Sequence, residues 1–224
     1  RSDAMMLSVD KKIDISEDAI TEYATGNLSP AKHAIVACQS EICEEVSSRV
    51  AFQEQIAASM IEQVHTKALS PLFMGNVLAN LPPQEAAPNI VNLKNNTPGT
   101  LSHLLGCGLD KIKWKSLIPG VAVHDVLGDR NNKAGDRLYL LKAKGGMQMP
   151  NHGHNGEEWT LILKGSYNIG DKVFARGDLH IEDEDEIHSP HINEGEDCIC
   201  LVMTQGPLKM QSLIPRLLQP LIGI

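Results

Sequence analysis

The sequence lacks the features that place a protein in a membrane or on nucleic acid. No window approaches the roughly 18 consecutive apolar residues that a bilayer span requires, and the first residues lack the basic-then-apolar order of a secretory signal peptide. Basic residues are few: 20 Lys and Arg stand against 28 Asp and Glu, a formal net charge of −8. Because phosphate binding needs clustered Lys and Arg, we expect neither direct nucleic-acid binding nor a membrane location.

Cysteine is also scarce, and its 5 residues lie at scattered positions in a chain of 224. An odd, dispersed set does not form a disulfide framework, so we expect reduced thiols and a cytoplasmic protein. The sequence also has no Ser-His-Asp order and no phosphate-cradling glycine loop. Its length and its 42% hydrophobic content allow one large core or two modest ones.

The N-terminal part carries two clear helix starts. Ser16 precedes two acidic residues, and a serine side chain can accept a free backbone N–H there, which predicts a helix to about Thr25. Ser29 and Pro30 supply a second start, with serine as the cap and proline at the first helical position.

A third helix is predicted from the next serine. Ser40 can cap a helix that begins at Glu41, and the residues up to about Leu69 are compatible with helix. Apolar residues then recur at roughly helical spacing, which predicts an amphipathic helical domain: Val46, Val50, Ile56, Met60 and Val64.

The chain changes character between residues 80 and 100, where four prolines and several asparagines replace the periodic pattern. We therefore predict a helical domain over residues 1–85, a linker over 86–100 and a second domain over 101–224.

The second domain is predicted to be a β-barrel or jelly roll, which makes the fold class α+β. Its tail, from Pro207 to Ile224, is too apolar to be exposed to solvent, so we expect it to pack on the barrel or on a neighbouring subunit. A homo-oligomer formed through the cupin is therefore an open alternative. Short runs separated by turn residues are predicted as strands over residues 121–126, 137–142, 160–163, 166–169 and 198–204.

Three side chains in this domain have the spacing of metal ligands. His152 and His154 are two residues apart, and side chains so spaced on a strand share a face, so two imidazoles can converge on one ion. Glu158 follows beyond Gly156, where the chain can turn back and return a carboxylate to the same pocket.

Glycines complete this pattern. Gly146 and Gly165 flank the three residues to give G-x5-H-x-H-x3-E-x6-G, which is the first cupin motif in full. In the second cupin motif a histidine follows a glycine by eleven residues, and Gly177 stands in that relation to His188. His188 is therefore the predicted fourth ligand, in preference to His191, whose offset is wrong.

The second motif departs from the cupin pattern at two positions. Asp183 and Asp185 occupy the proline and glycine positions of the second motif. The acidic run over residues 182–186 is predicted to be a solvated loop edge. Four histidines have no motif partner and are expected to be surface or hydrogen-bonded structural residues: His65, His103, His124 and His180.

The identity of the metal is left open by this donor set. Three imidazoles and one carboxylate suit zinc, iron, manganese, nickel or copper, and zinc is the first choice. A site closed by four protein ligands would be structural or sensory, whereas an open position would permit Lewis-acid or oxygen chemistry. A metal-dependent cupin enzyme, such as a dioxygenase, is therefore the alternative function, and an ion that only stabilises the barrel is a third.

Several stretches together resemble the ChrR-type anti-sigma factors, which join a helical anti-sigma domain to a cupin domain. Residues 23–30 resemble the opening of the helical domain, residues 136–141 the strand that enters the cupin, and residues 198–201 with 207–208 the end of the cupin. The terminal residues 216–223 also match. The resemblance implies that the helical domain holds an extracytoplasmic-function-type sigma factor inactive. It also implies that the cupin takes part in the response to singlet oxygen or related oxidants.

The resemblance further implies a zinc site in the helical domain, but the sequence departs from that pattern. The family places a H-x3-C-x2-C cluster at positions that fall on Gln39, Cys43 and Val46, and no histidine precedes His33. We therefore expect this zinc site to be absent, with Cys43 and Cys38 as small buried residues. Two cysteines of the cupin are also expected in its core, on one face of a strand: Cys198 and Cys200.

Overall fold

The fold is α+β, as predicted: helices lie in the N-terminal half and strands form the C-terminal half. The structure is a computed structural model, and it describes residues 15–82, 97–128, 135–153, 156–183, 187–206 and 209–210. Most of the predicted linker and nearly all of the apolar tail lie outside the described residues. Within those ranges no helix combines the length and the apolar character that crossing a bilayer demands.

The first two helices begin where the sequence predicts. The hydroxyl oxygen of Ser16 accepts from the backbone N–H of Ala19 at 3.2 Å, and that of Ser29 accepts from Lys32 at 3.4 Å. Both serines therefore satisfy an otherwise unpaired helix-start donor. The helices are α1 (Glu17–Ala24), α2 (Pro30–Ile42), α3 (Glu44–Glu62), α4 (Phe73–Ala79) and α5 (Gly99–Leu105), followed by a 3-10 turn (Leu109–Lys111).

The predicted start of the third helix is wrong. Ser40 does not cap a new helix, because its hydroxyl donates back to the carbonyl of Ala37 at 2.8 Å within α2. The break comes at Cys43, whose backbone is extended, and α3 ends at Glu62, before the predicted Leu69. A hydroxyl that bonds within its own helix offers nothing to the donors of the next one.

The strands form a jelly-roll-like barrel of a six-stranded sheet, in the order β1-β2-β3-β10-β5-β8, a three-stranded sheet β7-β6-β9 and the pair β11-β4. The five predicted strands are confirmed as β2, β3, β5, β6 and β10, and the shorter strands were not predicted. The bounds are β1 (Lys115–Ile118), β2 (Val121–Asp125), β3 (Arg137–Ala143), β4 (His152–Gly153), β5 (Glu158–Lys164), β6 (Ser166–Ile169), β7 (Lys172–Ala175), β8 (Leu179–Glu182), β9 (His191–Ile192), β10 (Cys198–Thr204) and β11 (Lys209–Met210).

The six-stranded sheet is buried on both faces. Successive side chains of a strand point to opposite faces, so Trp159 and Leu161 of β5 join the apolar core of the helices, while Ile162 joins a second core inside the barrel. In β10, Leu201 belongs to the helix-side core and Val202 to the barrel interior. The helices and the sheet therefore share one hydrophobic core, and the barrel encloses another.

Helix α2 contacts the sheet through polar groups at its N-terminal end. The hydroxyl of Ser29 donates to the carboxylate of Asp136, and the ammonium of Lys32 donates to Glu157, the residue before β5. The same ammonium lies 4.8 Å from the ring centroid of Trp159.

The C-terminal end of α2 contacts the loop that leads into β8. The side-chain amide of Gln39 donates to the carbonyl of Gly177 at 3.2 Å, and Gln39 is fully buried. Gly177 has a φ of +93°, and a Cβ there would lie 3.1 Å from Cγ2 of Ile42. The glycine of the second cupin motif is therefore required both by its backbone conformation and by the approach of the helix.

Candidate metal centre

Three backbone segments bring the centre together inside the barrel. The residues His152 and His188 exchange both backbone hydrogen bonds, at 3.2 Å and 3.1 Å. Glu158 opens β5 on the face opposite Trp159, and its side chain points into the barrel. The turn after β5 is closed by Gly165, where φ is +72° and a Cβ would lie 2.8 Å from the carbonyl oxygen of Asp197.

The ligand atoms of His152, Glu158 and His188 all lie within 4.8 Å of one another. Two imidazoles and one carboxylate at this separation could hold a divalent metal ion. The predicted ligand His154 lies outside the described residues. His191, the competitor for the fourth position, lies on β9, where it pairs with Asn168 of β6, and it is not part of this group.

Hydrogen bonds orient two of these ligands. Nδ1 of His152 lies 2.8 Å from the carbonyl oxygen of Pro150, so this nitrogen carries the proton and Nε2 is the nitrogen that would bind a metal. The hydroxyl of Thr160 donates to Glu158 at 3.0 Å. Such contacts to the neighbouring atoms hold a ligand in one orientation.

A second carboxylate, Glu182, faces the same space. It lies directly opposite Glu158 across the β5–β8 pair, it is 3% exposed, and its Oε1 is 2.7 Å from Nδ1 of His188. The prediction that this residue belongs to a solvated loop edge is therefore wrong. The signal was present in β8, where Leu179 and Ile181 alternate with polar residues, because alternation places Glu182 on the inner face.

His180 is also inside the barrel, two residues before Glu182. Its Nδ1 lies 3.0 Å from the hydroxyl of Tyr167, and its Nε2 lies 3.5 Å from Glu182. The prediction of a hydrogen-bonded histidine is confirmed.

Burial perturbs the protonation of these groups. Burial, and then the negative charge of Glu182, raise the pKa of Glu158 to about 8, against a smaller opposite effect of the bond from Thr160. Burial, and then the proximity of His188, lower the pKa of His152 to about 4. The site therefore favours neutral groups until a cation enters it.

Two thiols lie beside this centre. Cys198 and Cys200 are both buried on the inner face of β10, and their sulfur atoms are 3.6 Å apart. The contact with Cys198 and burial raise the pKa of the Cys200 thiol. The prediction of two core cysteines on one face is confirmed.

In the helical domain, buried packing residues occupy the positions where the resemblance implies zinc ligands. Gln39, Cys43 and Val46 are each no more than 1% exposed, and they belong to the packed contact of α2 and α3 with the sheet. Cys38 is buried as well, and burial raises the pKa of its thiol to about 12. These side chains serve packing in the described structure.

Comparison with known proteins identifies the family. The model of the ChrR cupin-like domain matches residues 103–209. The anti-sigma-E factor ChrR of Cereibacter sphaeroides is 33% identical over 211 residues, which are 94% of this chain and 97% of that protein. ChrR in the crystal structure of Rhodobacter sphaeroides SigE in complex with the anti-sigma ChrR matches with a TM-score of 0.69 and 30% identity, over 85% of this chain and 97% of the matched chain. The chain therefore belongs to the ChrR family of anti-sigma factors, a helical domain joined to a cupin.

Proposed function

We propose that this protein is a negative regulator of transcription that binds an extracytoplasmic-function-type sigma factor through its N-terminal helices. The observation that carries the proposal is the match to ChrR along nearly the whole of both chains, helical domain included. The solved ChrR is described in complex with SigE. A sigma factor works on RNA polymerase in the cytoplasm, so we place this protein there too.

An apolar surface on the helices supports a protein partner. We call it the apolar segment 52–81; it comprises part of α3, the following turn and α4, and α4 has no buried residue. Exposed apolar patches of this extent mark interaction sites in soluble proteins. Each of its large side chains is at least 40% exposed in this chain: Phe52, Ile56, Met60, Ile61, Val64, Leu69, Leu72, Phe73, Met74, Val77, Leu78 and Leu81.

Binding to sigma factors of the native host tests the proposal. Each such sigma factor is co-expressed with the full chain, and the purified product is analysed by size-exclusion chromatography with light scattering. We expect a 1:1 complex with one of them. If no sigma factor forms a complex under conditions where the chain is folded, the proposal is wrong.

We further propose that the cupin holds a divalent metal, zinc in the first place, through His152, His154, Glu158 and His188. The donor set supports this, because imidazole and carboxylate groups suit zinc and the two facing carboxylates favour a cation between them. When bound, the ion would supply a fixed positive charge at the centre of the barrel.

Elemental analysis of purified protein tests the metal. We expect about one zinc per chain in the wild type and little in His152→Ala. The matched control is His124→Ala, since His124 lies outside the described metal-ligand group. Equal zinc in all three proteins would contradict the assignment of ligands, and stoichiometric iron in place of zinc would contradict the choice of metal.

We also propose that oxidative or photo-oxidative stress acts on the cupin and weakens the hold on the sigma factor. For this, the stressed state of the cupin must have a lower affinity for the sigma factor, and couplings of about 1–3 kcal/mol are typical. Exposure of the purified complex to singlet oxygen should then release the sigma factor. An unchanged dissociation constant after exposure would contradict this part of the proposal.

A further inference from the structure

Glu182 is a buried charge that the four proposed metal ligands do not include. Its side chain is 3% exposed, and it stands across from Glu158 on the neighbouring strand. Its Oε1 lies 2.7 Å from Nδ1 of His188. Two facing carboxyl groups inside a barrel cannot both be ionised without a compensating positive group.

We propose that Glu182 is a positioning residue of the metal site, which acts through His188. This inference rests on the proposed metal site and deepens it. Oε1 of Glu182 lies 2.7 Å from Nδ1 of His188, and a carboxylate at this position favours the tautomer with the proton on Nδ1, which leaves the lone pair of Nε2 for the ion. A carboxylate in that role also makes the imidazole a more basic, and therefore stronger, ligand.

The two histidines of the centre are oriented in different ways. Nδ1 of His152 faces a neutral acceptor, the carbonyl oxygen of Pro150 at 2.8 Å, whereas Nδ1 of His188 faces a carboxylate. A carboxylate favours a proton on a nearby imidazole nitrogen more strongly than a neutral carbonyl oxygen does. Glu182 therefore distinguishes His188 from His152 and adds negative charge close to the cation.

A short chain of contacts holds Glu182 in its place. The hydroxyl of Tyr167 lies 3.0 Å from Nδ1 of His180, and Nε2 of His180 lies 3.5 Å from the same Oε1 that faces His188. This oxygen therefore lies between two imidazoles. Such support is what a group needs if it is to orient a ligand within a narrow range.

The experiment measures zinc affinity of the full chain by competition with a chromophoric chelator. We expect Glu182→Gln to weaken zinc binding by about 10- to 100-fold, because the isosteric amide loses the charge that strengthens His188. The matched control is Asp183→Asn, the same change of charge one residue away at an exposed position, and it should shift the affinity by no more than about twofold. Equal affinities for Glu182→Gln and Asp183→Asn would overturn the proposal.

A second readout separates positioning from a purely structural role. In metal-free protein, Glu182→Gln should keep or raise the melting temperature, because it removes a buried negative charge that faces the carboxyl group of Glu158, while the rise on adding zinc should be smaller than in the wild type. A structural ion pair with His188 predicts the reverse: a lower melting temperature without metal and unchanged zinc affinity. That result would overturn the proposal.

Cobalt distinguishes a positioning residue from a direct ligand. The visible absorption bands of the Co²⁺-loaded protein should keep their wavelengths and their approximate intensities in Glu182→Gln, since the coordinating atoms are unchanged. A change in coordination geometry would make Glu182 a ligand and overturn its positioning role. If the wild type itself bound no zinc, the proposed metal site would fall together with this inference, whereas a wild type that binds zinc and an unaffected variant would remove this inference alone.

Discussion

At the scale of single residues, the barrel interior is organised around a carboxyl group that keeps its proton until a metal displaces it. The pKa of Glu158 is raised to about 8, chiefly by burial, while the pKa of His152 is lowered to about 4. At neutral pH the imidazole of His152 is therefore ready to bind a metal, and Glu158 must first lose a proton. Zinc affinity should accordingly rise as the pH rises towards 8.

The stability of the metal-free protein should also depend on pH through Glu158. Between its ordinary pKa of 4.5 and about 8, the folded carboxyl holds a proton that the unfolded chain has lost, so the free energy of unfolding falls as the pH rises. His152 acts oppositely, but only between about 4 and 6.5. Above pH 6.5 Glu158 dominates this pair, and we expect it to remove on the order of 2 kcal/mol by pH 8.

Urea unfolding in the presence of a chelator, at pH 6.5 and about pH 8.5, measures this loss. Glu158→Gln is the control, because the amide does not titrate while every other group is retained. The loss in the wild type should exceed that in the variant by the amount attributed to Glu158. Parallel losses in both proteins would show that Glu158 is already ionised at neutral pH.

The residues of the centre were only partly predictable from the sequence. The sequence spacing predicts that His152, Glu158 and His188 lie close together, because the strand period of two and the motif glycines determine where the side chains point. Glu182 was missed because it begins an acidic run that has the composition of a solvated edge. The alternation of Leu179 and Ile181 with polar residues places Glu182 on the inner face of the barrel, but that pattern is only four residues long.

At the scale of elements, α2 is the element that connects the two halves of the protein. Its N-terminal end contacts Glu157, next to the proposed ligand Glu158, and its C-terminal end contacts Gly177, five residues before Glu182. A displacement of α2 would therefore change contacts next to both β5, which contains Glu158, and β8, which contains Glu182. This contact offers a physical route between the metal site and the helices.

The hydrogen bond from Gln39 should contribute measurably to this connection. Gln39→Ala leaves the carbonyl of Gly177 without that donor and opens a cavity under α2, so we expect the free energy of unfolding to fall by about 2–3 kcal/mol. Gln55→Ala is the matched control, the same change at an exposed helical position, and should stay within about 0.5 kcal/mol. Chemical denaturation of the three proteins measures the difference, and equal stability of both variants would show that the contact is not maintained.

Element prediction succeeded where a local signal decides and failed where packing decides. Ser16 and Ser29 were predicted as caps because acidic residues or proline follow them, and both cap their helices. Ser40 has the same side chain, but there the helix continues to Ile42, and the hydroxyl donates to the carbonyl of Ala37 within the helix. Strands of two residues, such as β4 and β9, are too short to have a pattern of their own.

At the scale of the whole molecule, the helices and the barrel are joined by a common apolar core rather than only by a linker. Leu101 of α5, Ile35 of α2 and Leu161 of β5 are all fully buried within it. The division into residues 1–85, 86–100 and 101–224 remains a prediction, because most of the linker lies outside the described residues. The shared core means that a change in the cupin can reach the helices by packing as well as along the chain.

The outward side of the helices is exposed among the described residues. Of the apolar residues predicted at helical spacing, Val46 and Val50 of α3 are buried, whereas Met60 of α3 and Val64, which follows the helix, are exposed. The sequence pattern predicted an amphipathic helical domain. The exposed residues belong to the apolar segment 52–81, which we propose as the surface that binds the sigma factor.

Transcription in vitro tests this account most directly. With the partner sigma factor and core RNA polymerase, the wild-type chain should repress a cognate promoter, and Leu78→Asp, which places a charge in the apolar segment 52–81, should weaken repression by about tenfold or more. Val173→Asp, the same type of change at an exposed apolar position on the cupin strand β7, should repress like the wild type. Undiminished transcription with the wild-type chain, or equal repression by both variants, would contradict the central claim that these helices hold a sigma factor.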